Sequence, residues 1–524
     1  MSKSQREKGI ILSYVSMAVN FVIGIVFTPF VLHMLGESEN GLYSTASSII
    51  AFMTLLDLGL GNSLVRFNSR FRAQGDYEGE RKLNGMFLLL FCGISVVAMI
   101  IGMAIYFNIN PFLKKSFTPE EVARTRTIFL IMLGNICTTF PFTAVTALLS
   151  AYERFTFLRS FTLIQHILIY GAQAAVLFMG FKSVGMAAAA TIVTVLTKIV
   201  PTIYLIKKMK VGFQFRDLDK SMLRDVASYS VFIFINLAVD QLYANTDKVI
   251  LARVKDSVAV GVYNNGANLN KDFNQFSTSI SGVFLPNITK LITQKTPMEK
   301  ISDIFIRIGR IQFIILSFIF SGFLIFGQRF VYFWLNVPEH PHYGEVYYIA
   351  LILMAPGLVS LSQNIGVSVL QAMNKRRIRS VMYLAIAVFN VAVSIPLAIK
   401  WGGTGSAIGT VIGNLLGQIL FMNWYYWKKI GLDIPRFWKN VVFRIGVVVA
   451  AYTALGYFIN GLLPEPSLIM LLVRIAVYSV LYVPVLWFLI ANKEEKSLVR
   501  EKLAGLKKRV SSLRHKHKSD RMPK

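Results

Sequence analysis

Stretches of about 20 apolar residues recur along the whole chain, the length that an α-helix rising 1.5 Å per residue needs to cross a hydrocarbon layer of about 30 Å. Fourteen such runs can be counted, at about residues 10–32, 42–65, 84–107, 122–147, 157–181, 184–206, 228–252, 258–286, 305–327, 345–371, 380–400, 404–427, 441–461 and 467–491. Lipid offers no partner to backbone N–H and C=O groups, so each run must satisfy its own hydrogen bonds as a helix. The expectation is an all-α polytopic membrane protein of about 14 transmembrane helices. Composition agrees, since 54% of the 524 residues are hydrophobic, 16% are charged and the mean hydropathy is +0.55.

The formal net charge of +28 would suggest nucleic acid in a soluble chain, but the basic residues fall on alternate loops. With the N-terminus inside, one side collects Lys3, Arg6 and Lys8, then Arg66, Arg70, Arg72, Arg81 and Lys82, then Arg154 and Arg159. Lys207, Lys208, Lys210, Arg216, Lys220 and Arg224 follow, then residues 290–310, the cluster Lys375, Arg376, Arg377 and Arg379, residues 428–444 and residues 493–524. The positive-inside bias places both termini in the cytoplasm and makes the basic excess a matter of topology, with no nucleic-acid partner. The first run is full length and lacks a small-residue cleavage pattern, so it is expected to stay as an anchor. Cys92 and Cys137 both lie inside apolar runs, where they act as small apolar residues without a disulfide framework.

Self-comparison reveals a repeat at a constant offset of 220 residues. Gly41 and Tyr43 match Gly261 and Tyr263, Arg159 and Ser160 match Arg379 and Ser380, Gly185 and Ala187 match Gly405 and Ala407, and Lys208 matches Lys428. Each half then holds six spans, an even number, so two six-helix bundles are related by a pseudo-two-fold axis along the membrane normal with a cavity between them. The expected division is residues 1–210, 211–430, two extra transmembrane helices in 431–492 and a basic cytoplasmic tail in 493–524. In that tail Val499, Leu503, Leu506, Val510 and Leu513 form one apolar stripe among basic residues, as in a helix lying on an anionic leaflet.

Two membrane-length segments carry polar residues that lipid alone would reject. Asn236, Asp240, Tyr243 and Asp247 fall on one helical face of the first, beside Gln241, Asn245 and Lys248. In the second, Asn264, Asn268, Lys271, Asp272, Gln275 and Ser279 form one stripe. An ionisable residue at mid-span costs roughly 2.5 to 3.5 kcal/mol on insertion scales, so the stripes must face a protein interior or a watery cavity. The candidate cavity residues are Asn20, Arg66, Asn236, Tyr243, Lys248, Asn264, Asn268, Lys271 and Gln275. Asp57, Asp240, Asp247 and Asp272 are candidates for ion coupling, with a local cap or pair as the alternative for Asp57 and interhelical hydrogen bonding for the others. Lys198 could snorkel, but nine residues from Lys207, about 13 Å of helix, favour an interior partner. His166, Tyr170 and Gln173 share a face and are expected to be structural.

Enzyme signals are weak. Asp217 and Asp219 sit in a loop too short for a nucleotide-sugar domain, and the glycine-rich residues 402–413 lack the lysine of a phosphate-binding loop. The outer loop holding His340 and His342 contains Pro338 and Pro341, which favour a turn over a metal site. No cofactor, metal or catalytic residue is expected.

The chain resembles the polysaccharide or O-antigen flippases of the multidrug/oligosaccharidyl-lipid/polysaccharide exporter superfamily. The carrying residues are Leu56-Asp57-Leu58-Gly59-Leu60 with Arg66 after it, and Asp247-Lys248-Val249-Ile250-Leu251 followed by Gly261-Val262-Tyr263 and Leu285-Pro286. Lys255-Asp256-Ser257 departs from the glycine-containing turn usual there. The resemblance implies a non-enzymatic transporter that flips an undecaprenyl-pyrophosphate-linked oligosaccharide across the bacterial plasma (inner) membrane by alternating access. Its expected partners are the lipid-linked oligosaccharide, membrane lipids and the polysaccharide polymerase machinery. An ion-coupled drug or cation antiporter of the same superfamily and a membrane-embedded glycan polymerase or ligase are the competing readings.

Overall fold

The computed structural model describes residues 3–216, 220–335, 342–464, 466–492 and 495–497. Asp217, Asp219, His340 and the tail from residue 498 lie outside that description. The described chain is helical, without a strand. The N-terminal half comprises α1 (Lys3–Met53), α2 (Leu60–Gln74), α3 (Tyr77–Leu113), α4 (Pro119–Ala151), α5 (Phe155–Phe178) and α6 (Lys182–Ile203). After them come α7 (Lys220–Val254), α8 (Ser257–Thr293), α9 (Met298–Leu335), α10 (Tyr343–Met354), α11 (Gly357–Ser362), α12 (Asn364–Ala372) and α13 (Arg376–Asn414). Short helices α14 (Met422–Tyr425) and α15 (Ile434–Phe437), set among π-helical turns, lead to α16 (Arg444–Leu462) and α17 (Leu468–Val485).

Nine apolar helical runs among the described residues are long enough to cross a membrane, and two of them extend over 53 residues each. A straight helix of that length would measure about 80 Å, more than twice a hydrocarbon layer. Each instead reverses at one glycine, Gly36 (φ 79°, ψ 171°) or Gly402 (φ 60°, ψ −136°), in backbone conformations that a Cβ would strain. Beyond Gly402 the Asn390 amide reaches Thr410 at 3.2 Å across 20 residues, about 30 Å apart in a straight helix. Likewise Phe27 and Ser47, on either side of Gly36, line one recess. Counting each reversal as two crossings, and adding polar α7 and α8 and the broken series α10 to α12, accommodates the fourteen expected segments.

Two expected spans are not continuous. The second breaks at a 3-10 turn, Thr54–Asp57, followed by left-handed Leu58 and Gly59. The tenth is cut into α10, α11 and α12, beginning where Pro356 lacks the N–H that would continue α10.

The 220-residue offset reappears in the turns. Gly36 ends the first crossing and Asp256, which caps α8 by accepting from the Ala259 N–H at 2.7 Å, occupies the equivalent position in the second half. The repeat-matched glycines meet face to face. A Cβ on Gly41 would lie 1.7 Å from the Ser257 carbonyl oxygen, and one on Gly261 would lie 2.5 Å from that of Glu37. Around this contact Ser38 and Ser257 approach at 2.9 Å and both donate to Glu121, while Asn40 donates to Asn265 at 3.3 Å.

Core packing follows the same plan. At the end remote from the basic loops one apolar cluster joins both halves, including Leu42, Ala46, Val260, Val262 and Val346. Toward the basic end the cores separate, one around Leu64, Phe87 and Leu148 and another around Phe305, Tyr426 and Phe437. The start of α7 crosses the gap, where Val226 joins the first of these cores and Ser63 and Ser230 hydrogen-bond at 2.8 Å.

Since backbone rather than a flexible side chain opposes a new Cβ at Gly41, Gly41→Val should cost about 1–3 kcal/mol by overpacking and lower the melting temperature of the purified protein. Gly24→Val, where a Cβ meets nothing within 4 Å, should melt like the wild type. Equal melting of the two variants would contradict the close contact.

Candidate functional site

Helices α7, α8, α10 and α13, with the turn that follows α13, enclose a cleft of about 580 Å³. Its cations are Lys248, Lys271 and Arg379, and Asp240 is the carboxylate in its lining. The helices spread these cations along the cleft. Lys248 lies about 9 Å from the end of α7 and Lys271 about 20 Å into α8, while Arg379 stands near the start of α13 at the basic end. Arg379 packs its guanidinium 4.5 Å from the Tyr383 ring one turn along the same helix. Tyr383 and Tyr243 pack edge to face at 6.4 Å. Asn268, Asn270, Asn274, Asn414 and Gln418 supply amides. Among the described residues the Tyr243 hydroxyl, Asn270 Oδ1 and Arg379 Nε are buried without a hydrogen-bond partner, an arrangement that calls for water or a polar ligand.

A second recess of about 410 Å³ adjoins the cleft at Asn268, which lines both. It lies between α1, α5 and α6 on one side and α8 on the other, and its polar lining includes Asn40, Tyr43, His166, Gln173, Asn264 and Asn265. Gln173 donates to the Tyr43 hydroxyl and to the Met186 carbonyl oxygen, both at 3.4 Å. The recess is built from amides, hydroxyls and an imidazole, with no Lys, Arg, Asp or Glu in its described lining.

Of the residues singled out in the sequence, Tyr243, Lys248, Asn264, Asn268, Lys271 and Asp240 come together in these two spaces. Asn236 lies outside both linings and accepts from Ser380 at 2.8 Å, joining α7 to α13. Gln275 also lies outside them, as does Arg66, exposed on α2. The Asn20 side chain is outside the described residues. Asp272 is half-buried, within electrostatic reach of Lys271 and of Tyr170 across the halves. Asp57 lies against the N–H groups of Gly59 and Gly61 where α2 begins, and its Oδ1 has no hydrogen-bond partner among the described residues.

Asp247 is enclosed rather than facing the cleft. Its carboxylate accepts from the hydroxyls of Tyr263 at 2.5 Å, Ser406 at 2.7 Å and Thr410 at 2.6 Å. Asn390 and Ser394 extend that network. The expected interior partner of Lys198 is missing, since its ammonium makes no hydrogen bond or ion pair among the described residues. Cys92 and Cys137 are both free thiols.

Sequence reading missed Arg379 because it ends a basic loop cluster that topology already explained. Its i, i+4 spacing from Tyr383 was the available signal. It also missed Glu39, buried against Arg124 and Ser183 at the end remote from the basic loops.

Residues 7–292, more than half of the chain, match the family model described as polysaccharide biosynthesis protein. Among solved structures, the fold is similar to one titled lipid II flippase MurJ, inward closed conformation (TM-score 0.72, 14% identity, covering 91% of this chain and 97% of that one). It is also similar to an inward-facing multidrug resistance MATE family transporter (TM-score 0.63, 15% identity, 80% and 95% coverage). A third similar structure is a MOP superfamily transporter from Pyrococcus furiosus (TM-score 0.57, 16% identity, 83% and 96% coverage). No curated protein sequence matches the chain. The chain belongs to the polysaccharide biosynthesis protein family, and its fold is that of the flippases and transporters of the multidrug/oligosaccharidyl-lipid/polysaccharide exporter superfamily.

Proposed function

We propose that this protein flips an undecaprenyl-pyrophosphate-linked oligosaccharide from the cytoplasmic to the outer leaflet of the bacterial inner membrane by alternating access. The observation that carries the reading is the convergence of Lys248, Lys271 and Arg379 on one cleft whose described lining holds one carboxylate, Asp240. A pyrophosphate crossing a hydrocarbon layer of about 30 Å needs charge-assisted donors throughout its path. The three cations supply such donors at successive depths. The neutral recess beyond Asn268 suits sugar hydroxyls, which pair with amides and tyrosines without demanding charge. An apolar cleft of about 880 Å³ between α9 and α16, lined by Phe313, Phe320, Leu324 and Val449 among others, suits the polyprenyl chain.

The same cation excess weighs against a drug or cation antiporter, whose substrate would meet repulsion at three of four charged lining residues. Positive-inside bias orients the basic end toward the cytoplasm, with both termini there. The product would then face the outer leaflet, where polysaccharide polymerase machinery can take it.

Coupling is assigned to Asp247. The carboxylate, the hydroxyls of Ser406 and Thr410 and the Asn390 amide oxygen form an oxygen-rich set within α7 and α13 that suits a small hard cation or a proton. Asp240, within reach of the Arg379 charge, then moderates the cationic cleft rather than driving transport.

Lys271→Ala should lower flipping by about tenfold or more, the worth of one charge-assisted hydrogen bond, while the protein stays folded in the membrane. Lys271→Arg should retain most of it. Normal surface polysaccharide in Lys271→Ala cells at matched expression would contradict the role. Asp247→Asn should flatten the dependence of transport on an imposed sodium or proton gradient in proteoliposomes. An unchanged gradient dependence would remove Asp247 from coupling.

A further inference from the structure

Away from the cleft, α9, residues 434–444 and the chain after α17 enclose a polar pocket of about 400 Å³ at the basic end. Asp303, Arg307, Arg310, Arg436, Arg444 and Asn492 line it. Arg310 is 4% exposed and fully engaged. Its Nε and Nη2 donate to the Glu495 carboxylate at 2.8 and 3.1 Å, Nη1 to the Asn440 carbonyl oxygen at 2.7 Å, and Nη2 also to that of Ile490 at 2.9 Å. Arg436 is engaged as well, with Asp303 at 2.6 Å. Arg307 and Arg444 are exposed, and neither forms an ion pair among the described residues.

The chain's own carboxylate reports what this pocket favours. Burial alone would raise the Glu495 carboxyl, but hydrogen bonds from Arg310 and from the Asn492 N–H, with the charge of Arg444 nearby, hold it below the ordinary carboxylate range. An anion is therefore stabilised beside this pocket, and its exposed Arg307 and Arg444 can meet another.

The surroundings specify its source. Ile311, one turn beyond Arg307, is 38% exposed, and Phe443 and Val447, flanking Arg444, are 63% and 68% exposed. Phe488 and Leu489, just before the pocket's Asn492, are 74% and 60% exposed. Large apolar groups bared beside a basic pocket at the end of a bundle face acyl chains, which free phosphate would not need. We propose that this pocket binds an anionic phospholipid, its phosphate against Arg307 and Arg444 and its acyl chains along Ile311, Phe443 and Val447. The site is independent of the transport reading, since none of its residues lines the cleft.

The test uses the purified full chain in nonionic detergent, with its melting followed as phosphatidylglycerol, phosphatidylcholine or inorganic phosphate is added. Phosphatidylglycerol should raise the melting temperature, whereas phosphatidylcholine and inorganic phosphate should not. Arg307→Gln/Arg444→Gln should move the phosphatidylglycerol midpoint to about tenfold or higher concentration, from the loss of two surface cations. Arg307→Lys/Arg444→Lys, which keeps the charges, should retain most of the response, and a wild-type melting temperature of the glutamine pair without lipid shows that its loss is not a folding defect. A wild-type response in the glutamine pair would overturn the proposal. So would equal loss in both pairs, and stabilisation by inorganic phosphate alone would replace the lipid with a soluble anion.

Discussion

The contact between Gly41 and Gly261 decides how the two halves of this protein meet. Two helix backbones can approach until one would-be Cβ lies 1.7 Å from the other's carbonyl oxygen only if neither residue carries a side chain. That closeness lets Ser38, Ser257 and Glu121 hydrogen-bond across the halves and lets Leu42, Ala46, Val260 and Val262 merge into one core. Among the described residues the far end has no such merged core. There the halves keep separate apolar clusters and touch through residues 211–216, where Gln214 N–H donates to the Arg81 carbonyl oxygen at 2.9 Å, and through the start of α7, with Ser63 against Ser230 and Gly59 against Ile233. One end is thus sealed by close backbone contact over a shared core, the other lacks a shared core among the described residues, and the polar cleft lies between them.

This asymmetry gives the polar residues of α7 and α8 their place. Lipid would charge heavily for Lys248, Lys271 or Asp240, whereas an interior cleft lets them remain hydrated and available. The helices also sort these groups by chemistry. Charge gathers where α7, α8 and α13 face one another, and neutral amides gather where α8 faces α1 and α5. Asp247 escapes both spaces because Tyr263, Ser406 and Thr410 close around it and tie α7 to α8 and α13.

Much of the helical architecture was legible in the sequence, because span length is a local and additive signal. The 220-residue repeat even anticipated the glycine pair, although it could not show that the two would touch. Helical periodicity put Asp240 with Tyr243, and Asn268 with Lys271, and each pair lines the cleft, since a face is a property of one helix. It could not name what each face meets. Asn236 and Gln275 share the stripes yet stand off the cleft, and Asp247 found partners some 160 residues away. Arg379 stayed hidden because a loop cluster and a cleft cation look alike until the helix that carries them is placed.

The account's central claim is that the glycine-sealed end must open for transport. In a Cys92→Ser/Cys137→Ala background, Ser38→Cys/Ser257→Cys places two thiols where the native hydroxyls stand 2.9 Å apart. Flipping of lipid-linked oligosaccharide in proteoliposomes should stop when this pair is oxidised and recover when it is reduced. Undiminished flipping by fully cross-linked protein would contradict the account, because the halves would then be transporting without ever parting at that end.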